Sequence, residues 1–455
     1  MKEMRDFMNN DLKPSKFNFH FIHDNYLYLY NSYSGLSDMR KVEKKKIAKI
    51  DTILQAQKVD CNIPYAKELY ELGYLVDICE DEQNKLEAAY LEYIASPVLH
   101  LYILVTEECN FRCLYCYQEH RSIILSQDVQ KGIIRFVKKN IRRYTGVHIS
   151  WFGGEPLLCM DIIRKLSEEL IKICKEQRRS YKADITTNGY LLTVPIIKEL
   201  IKYKVLYYQV TIDGLKDTHD RRKKLKNGSG TYDIIIRNLL NIKQDIHTRT
   251  ISILIRSNFL ESDLTKLSDC IETYYKYFGD DNRFLFAPGG AGDWGGENTE
   301  GVRLDYFTTD DFQKMFDKLL DCRPLNYGFF HNFQHDGRNI CYASKMHSYA
   351  IGADGSVYKC TCNFNFENNL LGQITSDGDF MIDKNKQRTF IVGALRHLND
   401  TCSDCFFSIR CAGSYCIVNS LMKGQEGFKC FPPYTKSFIR QQILLLDKMR
   451  PIQIL

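Results

Sequence analysis

Val105-Thr-Glu-Glu-Cys-Asn-Phe-Arg-Cys-Leu-Tyr-Cys-Tyr117 places cysteines at 109, 113 and 116, spaced Cys-x3-Cys-x2-Cys. Three thiolates on one short loop can hold three irons of a cubane iron–sulfur cluster, and the fourth iron then has no ligand from this loop. An open metal position is where a small molecule binds and chemistry starts. Cys109, Cys113 and Cys116 are therefore the candidate catalytic ligands. Upstream, Leu99-His-Leu-Tyr-Ile-Leu-Val105 is rich in strand formers, so the loop leaves a strand end, where α/β folds place their sites. A zinc knuckle is the bland alternative. Zinc usually takes four ligands, often as two C-x-x-C pairs, and here the nearest fourth candidate is His120.

Working outward, residues 96–330 alternate strand and helix patterns. The expected strands are 99–105, 147–152, 183–186, 206–212, 250–256 and 283–287. The expected helices are 127–143, 160–177, 194–203, 231–245, 262–277 and 309–320. Repeated β-then-α units imply an α/β fold, a parallel sheet with right-handed crossovers. Six units fall short of the eight of a closed barrel.

Three strand ends carry polar motifs. Ile149-Ser-Trp-Phe-Gly-Gly-Glu-Pro156 follows the second strand; paired glycines let a backbone approach closely, and a carboxylate beside them can accept from an ammonium. Ile185-Thr-Thr-Asn-Gly189 ends the third strand. Tyr208-Gln-Val-Thr-Ile-Asp-Gly214 ends the fourth, followed by His219-Asp220.

The three-cysteine loop, with Tyr115 before its last cysteine, resembles the radical S-adenosylmethionine (SAM) enzymes. In that family the open iron chelates the amino and carboxylate groups of SAM. Electron transfer then cleaves SAM to methionine and a 5′-deoxyadenosyl radical that abstracts hydrogen from substrate. The resemblance implies a partial (β/α)6 barrel. It also implies cofactor contacts from Tyr115, Gly153, Gly154, Glu155, Pro156, Thr187, Asn188, Thr211 and Asp213. In related peptide- and sulfatase-modifying enzymes an arginine ten residues past the aspartate grips the SAM carboxylate. Lys223 falls there, with Arg222 just before it, and lysine lacks the bidentate fork; either cation is the candidate. His219 reads as an ordinary polar loop residue.

Residues 1–95 read as a small domain. Phe17–Ile22 and Tyr26–Tyr30 alternate around His23-Asp-Asn25, a β-hairpin pattern. A helix is expected from about Lys41 to Gln57, then a helix ending near Gly73 and a short strand. This is similar to winged-helix elements that capture leader peptides of ribosomally made peptides; a plain cap on the barrel is the other reading.

Residues 331–455 are cysteine-rich, with a last helix from about Thr435 to Lys448. Cys341-x13-Gly355-x4-Cys360 is followed by Cys402-x2-Cys405-x5-Cys411-x4-Cys416 and by Cys430. This resembles the SPASM domain, which holds two auxiliary clusters; the x4 gap before Cys416 departs from the usual x3. Cys362 is the candidate eighth ligand, and Cys322 another. Family precedent groups Cys341, Cys360 and Cys416 with that ligand, and Cys402, Cys405, Cys411 and Cys430 together. Zinc ribbons are the alternative for the Cys-x2-Cys pair.

The chain has 455 residues, 44% hydrophobic, with a formal charge of +6. That mild charge does not call for nucleic acid, and no apolar run is long enough for a membrane span. Seventeen cysteines without a signal-peptide core fit a cytoplasmic chain with reduced thiols. Sulfatase maturases place a general-base aspartate just after the second SPASM cysteine; here it is Thr361, which cannot take a proton as a carboxylate can. The expected activity is therefore maturation of a ribosomally synthesised precursor peptide by thioether or carbon–carbon cross-linking, with ferredoxin or flavodoxin as the reducing partner. A sulfatase activator and a non-catalytic iron–sulfur carrier are the alternatives. Pro288–Glu297 is a glycine-rich loop whose Asp293 and Trp294 are candidate substrate contacts.

Overall fold

In the barrel stretch, two-residue and 3.6-residue apolar periods alternate, and each builds the element its period dictates. The computed structural model describes residues 11–291, 309–322, 326–327, 341–393, 404–411, 417–418, 421 and 436–455. The chain divides into two compact units. One comprises residues 1–94, 329–341 and 392–455, the other residues 95–328 and 342–391. Boundaries expected near 95 and 330 thus sit beside a more interleaved division.

In the first unit, Leu12–Pro14 (β1) pairs antiparallel with Leu75–Asp77 (β5). Asn18–His23 (β2), Tyr26–Asn31 (β3) and Arg40–Glu43 (β4) form a three-stranded antiparallel sheet. Asp24 and Asn25 turn the β2–β3 hairpin with φ of 46° and 65°, the left-handed geometry that Asp and Asn tolerate. The helix expected from Lys41 begins only at Lys44 and runs to Gln55. Arg40–Glu43 is a strand instead, because Val42 pairs with Leu27 and is wholly buried; sheet pairing overrides local helix propensity. Leu12, Leu27, Leu29, Val42, Ile50, Leu69 and Leu75 make the core. The C-terminal helix spans Lys436–Met449.

In the second unit, Val98–Thr106 (β6) leads to the short strand Phe111–Cys113 (β7). Then come Gly146–Gly153 (β8), Ser180–Thr187 (β9), Val205–Thr211 (β10), the short Lys223–Leu225 (β11), Ser252–Phe259 (β12) and Phe284–Gly290 (β13). Strands β6, β8, β9, β10, β12 and β13 are parallel neighbours in that order. Helices Gln127–Asn140, Met160–Glu176, Val194–Lys202, Tyr232–Asp245, Leu267–Phe278 and Thr309–Asp321 follow the strands. All six expected βα units form. Ser348–Ile351 (β14) adds parallel to β6, and Ser356–Tyr358 (β15), Leu370–Ile374 (β16) and Phe380–Ile382 (β17) continue antiparallel. The result is an open ten-stranded sheet with β13 and β17 at its edges, a partial barrel extended on one side. Along β6, Leu99, Leu101 and Ile103 are wholly buried, while His100 and Tyr102 alternate onto the other face. Among the described residues no helix is long and apolar enough to cross a membrane.

Candidate active site

The cysteine loop leaves β6 and is pinned from three sides. Gly154 N–H donates to Thr106 O at 2.9 Å, and Glu155 N–H donates to Glu108 O at 2.8 Å. A Cβ on Gly154 would lie 2.1 Å from Glu108 O, and one on Gly153, at φ +121°, would lie 2.2 Å from Thr106 O. The glycines are therefore required by close approach of the two loops to each other. Glu155 is wholly buried. Its Oε1 accepts from Thr187 Oγ1 at 2.7 Å and Leu157 N–H at 3.1 Å, and its Oε2 accepts from Asn188 N–H at 2.8 Å. Burial pushes its pKa up to about 7 against those bonds. Glu155 thus ties the ends of β8 and β9 together, and Pro156 opens the short turn that follows. Asn188 Nδ2 donates to Asn110 Oδ1 at 2.8 Å and approaches Cys109 Sγ at 3.9 Å.

The third brace is the β7–β11 pair, whose register sets Lys223 opposite Cys113. Lys223 Nζ lies 3.8 Å from Cys113 Sγ and 4.9 Å from the Tyr115 ring centroid. Burial favours its neutral form, but the neighbouring Cys113, Tyr115 and Asp213 outweigh that and raise its pKa well above the usual lysine range. Tyr115 Oη donates to Asp213 Oδ2, and Asn258 Nδ2 donates to Tyr115 Oη at 3.2 Å. Asp213 Oδ1 accepts from Asn258 N–H, also at 3.2 Å. Arg222 is differently employed. It makes a buried fork to Asp263, Nη1–Oδ2 2.7 Å and Nη2–Oδ1 2.9 Å. Of the two candidate cations, Lys223 faces the cysteines and Arg222 is committed elsewhere. Thr211 ends β10, partly exposed, opposite Arg256 of β12.

His219 is not the ordinary loop residue expected. It is wholly buried, and burial lowers its pKa to about 4. Its Nδ1 accepts from Asp213 N–H at 3.1 Å, which leaves the proton on Nε2, 3.0 Å from Thr231 Oγ1. Thr231 Oγ1 in turn donates to Lys223 O at 2.6 Å. This chain couples the Asp213 loop to the Lys223 strand.

The donor set fits an iron–sulfur cluster better than a single ion. Among the described residues only His100, His148 and Asp184 bring three ligand atoms within 4.8 Å of one another. The three loop sulfurs do not all lie within 4.8 Å of one another, whereas tetrahedral zinc with ~2.3 Å bonds needs its ligands roughly 4 Å apart. Cys109, Cys113 and Cys116 are free thiols. Phe111 N–H points at Cys109 Sγ at 3.4 Å, joining Asn188 and Lys223 as donors to sulfur, which suits thiolates holding a charged cluster. His120 Nε2 lies 3.3 Å from Cys116 Sγ.

A second cysteine group lies in the same unit. Cys360 Sγ accepts from Cys362 N–H at 3.3 Å and from Tyr342 Oη at 3.7 Å. Hydrogen bonding from the Cys362 thiol is the main cause that lowers the Cys360 pKa to about 7 against burial. Asn369 clamps this loop: Oδ1 accepts from Lys359 and Cys360 N–H, and Nδ2 donates to the carbonyls of Cys360, Cys362 and Asn363. Tyr117 of the first cysteine loop hydrogen-bonds Cys362. Thr361 Oγ1 is 2.8 Å from Tyr342 Oη. Cys341 and Cys405 belong to the other unit, and neither they nor Cys322 form a disulfide. Cys402, Cys416, Cys430 and the side chain of Cys411 lie outside the described residues, as do Asp293 and Trp294.

The Radical SAM superfamily model matches residues 103–267, the stretch that holds the cysteine loop, the Gly-Gly-Glu-Pro loop and Lys223. The chain carries a radical SAM domain. A Fe-coproporphyrin III synthase of Methanosarcina barkeri is 26% identical over 31% of this chain and 33% of its own length. A GTP 3′,8-cyclase of Rhizobium meliloti is 31% identical over 28% of this chain and 36% of its own. The chain thus spans about a third of the length of these two curated relatives, which are enzymes. Among solved structures, anSMEcpe with bound AdoMet and the Kp18Cys peptide is 19% identical, covering 78% of this chain and 98% of its own, with a TM-score of 0.59. Streptococcus suis SuiB bound to its precursor peptide SuiA is 14% identical, covering 92% of this chain and 98% of its own, with a TM-score of 0.51. With both, the fold is what is shared. The radical SAM loop was legible as a motif. The Asn258 link, the Asp263 fork, the Asn369 clamp and the His219–Thr231 chain were not, since no short pattern carries them.

Proposed function

We propose that this radical SAM protein is a peptide maturase that cleaves SAM reductively and modifies a ribosomally synthesised precursor peptide. The observation that carries it is the three-thiol loop, spread too widely for one ion and met by Lys223, Asn188 and a backbone N–H. Cys109, Cys113 and Cys116 would hold a cubane cluster, which when bound would supply the electron for SAM cleavage. The chain's own residues bind and orient. Lys223 gives the SAM carboxylate a cation, and Thr211, Thr187 and Asn188 line the strand ends beside it. Glu155 holds two of those strands in place. Tyr115, hydrogen-bonded to Asp213, fixes the loop between Cys113 and Cys116.

Auxiliary clusters on Cys360, Cys362, Cys341, Cys405 and the remaining C-terminal cysteines belong to this reading, as does a ferredoxin- or flavodoxin-type donor in a cytoplasm that keeps thiols reduced. So does a three-domain division at about 95 and 330, with the first domain recognising a leader. The likeness in fold to SuiB over nearly the whole chain supports a peptide substrate. Thr361, hydrogen-bonded to Tyr342, offers no carboxylate base and counts against sulfatase maturation. Co-expression with small peptides encoded beside this gene, followed by mass measurement, tests the proposal. A loss of two hydrogens per cross-link is expected; unmodified peptides alongside active SAM cleavage would overturn the peptide substrate.

A further inference from the structure

One face of the large sheet carries a polar cluster that neither cysteine loop uses. Side chains alternate along a strand, and Val147, Ile149, Ala183 and Ile185 take the buried face of β8 and β9. His100 of β6, His148 and Ser150 of β8 and Asp184 of β9 take the other face. Register brings them together, because His100 pairs with His148 and Ser150 with Asp184. His148 Nε2 lies 2.6 Å from Asp184 Oδ2, and His100 Nε2 lies 2.8 Å from Ser150 Oγ. Ser150 Oγ donates to Asp184 Oδ2 at 2.9 Å. One ligand atom from each of His100, His148 and Asp184 lies within 4.8 Å of the other two. His148 precedes Gly153 by five residues, so the cluster sits roughly 16 Å back along β8 from the Gly-Gly-Glu-Pro loop.

Two imidazoles and a carboxylate are a donor set that divalent transition-metal ions take. The side chains of His148 and Asp184 keep 33% and 22% of their surface exposed, so an ion can reach them. The rings are already held in place. His100 stacks on His148, with centroids 4.2 Å apart and planes within 3°, and on Tyr102 at 4.3 Å. Zinc bonded at ~2.1 Å to each nitrogen sets the two nitrogens about 3.4 Å apart, so binding tilts the stacked rings toward one another. Lys345, whose charge acts on His100, opposes an ion there, and the Asp184 carboxylate offsets it. We propose that His100, His148 and Asp184 form a metal site separate from the cysteine loops, which binds one divalent ion of the zinc type. Ser150 orients the carboxylate, as partners of metal ligands commonly do. Three protein ligands leave a fourth position open, the arrangement of a site that accepts water or a substrate group. The site does not depend on what the radical modifies.

The probe is zinc sulfate, added to full-length protein reconstituted anaerobically with iron and sulfide and read against a competing zinc indicator. The wild-type protein should bind one zinc per chain more than His148→Ala at matched iron content. Asp184→Asn should weaken that zinc at least tenfold. Equal zinc number and affinity in the wild type and His148→Ala overturns the site. If the variants do not fold, zinc-edge X-ray absorption on the wild-type protein with one added equivalent decides. A nitrogen and oxygen shell near 2.0–2.1 Å with imidazole scattering is expected; a sulfur shell at ~2.3 Å, or no bound zinc, overturns the proposal.

Discussion

Two cysteine loops in one unit are built on opposite principles. The loop of Cys109, Cys113 and Cys116 is held by its neighbours: backbone bonds from Gly154 and Glu155, the Asn188 amide, and Lys223 across a short ladder. Burial pushes Cys109 up to about 12 and Cys116 up to about 11, so metal must displace their protons. The loop of Cys360 and Cys362 is held chiefly by a buried amide, Asn369, with Tyr342 Oη bonded to Cys360 Sγ and to Thr361, and its Cys360 is poised near 7 by Cys362. A loop assembled from several strand ends is a site that completes only when the barrel folds. A loop clamped mainly by Asn369 and Tyr342, both near it in sequence, is set more locally.

The largest expected effect breaks the first loop. Cys113→Ala should reduce SAM cleavage to background, read as 5′-deoxyadenosine release. Next, the adjacent cations should separate. Arg222→Met leaves Asp263 buried without its fork and should cost about 3–5 kcal/mol of stability, read by urea unfolding. Lys223→Met should leave stability nearer to wild type but raise the KM for SAM about tenfold to hundredfold. Asn369→Ala removes a wholly buried amide and should cost about 2–3 kcal/mol while uncoupled SAM cleavage persists; loss of cleavage would show that the two loops are not independent.

The smallest effect concerns His219. It is neutral in the fold, with a pKa of about 4, and ordinary when unfolded, near 6.5. The unfolded chain therefore binds the extra proton first, and stability falls as pH drops from 6.5 towards 4. At pH 5 this amounts to about 2 kcal/mol. His219→Gln should flatten that part of the stability profile, and an unchanged slope would remove His219 as its source.

Much of this was readable in the chain. The barrel strands show as apolar residues at every second position, since one face of β6, β9 and β12 is buried and the other only partly, and Gly153, Gly154 and Glu155 sit within one motif. Arg40–Glu43 was hidden because its strand character comes from Val42 meeting Leu27, which local propensity does not report. Asn369 and Asp263 were hidden for the same reason, each acting on residues distant in sequence or through geometry alone. The even-numbered polar positions His100 and Tyr102 within β6 were visible, and their alternation marks the second face of the strand.

The central claim is the open iron corner above Cys109, Cys113 and Cys116. The measurement that meets it most directly is 5′-deoxyadenosine formation from SAM by the anaerobically reconstituted, dithionite-reduced protein. Release that disappears in Cys113→Ala is the predicted result. A fully iron-loaded, reduced protein that leaves SAM intact would contradict the account.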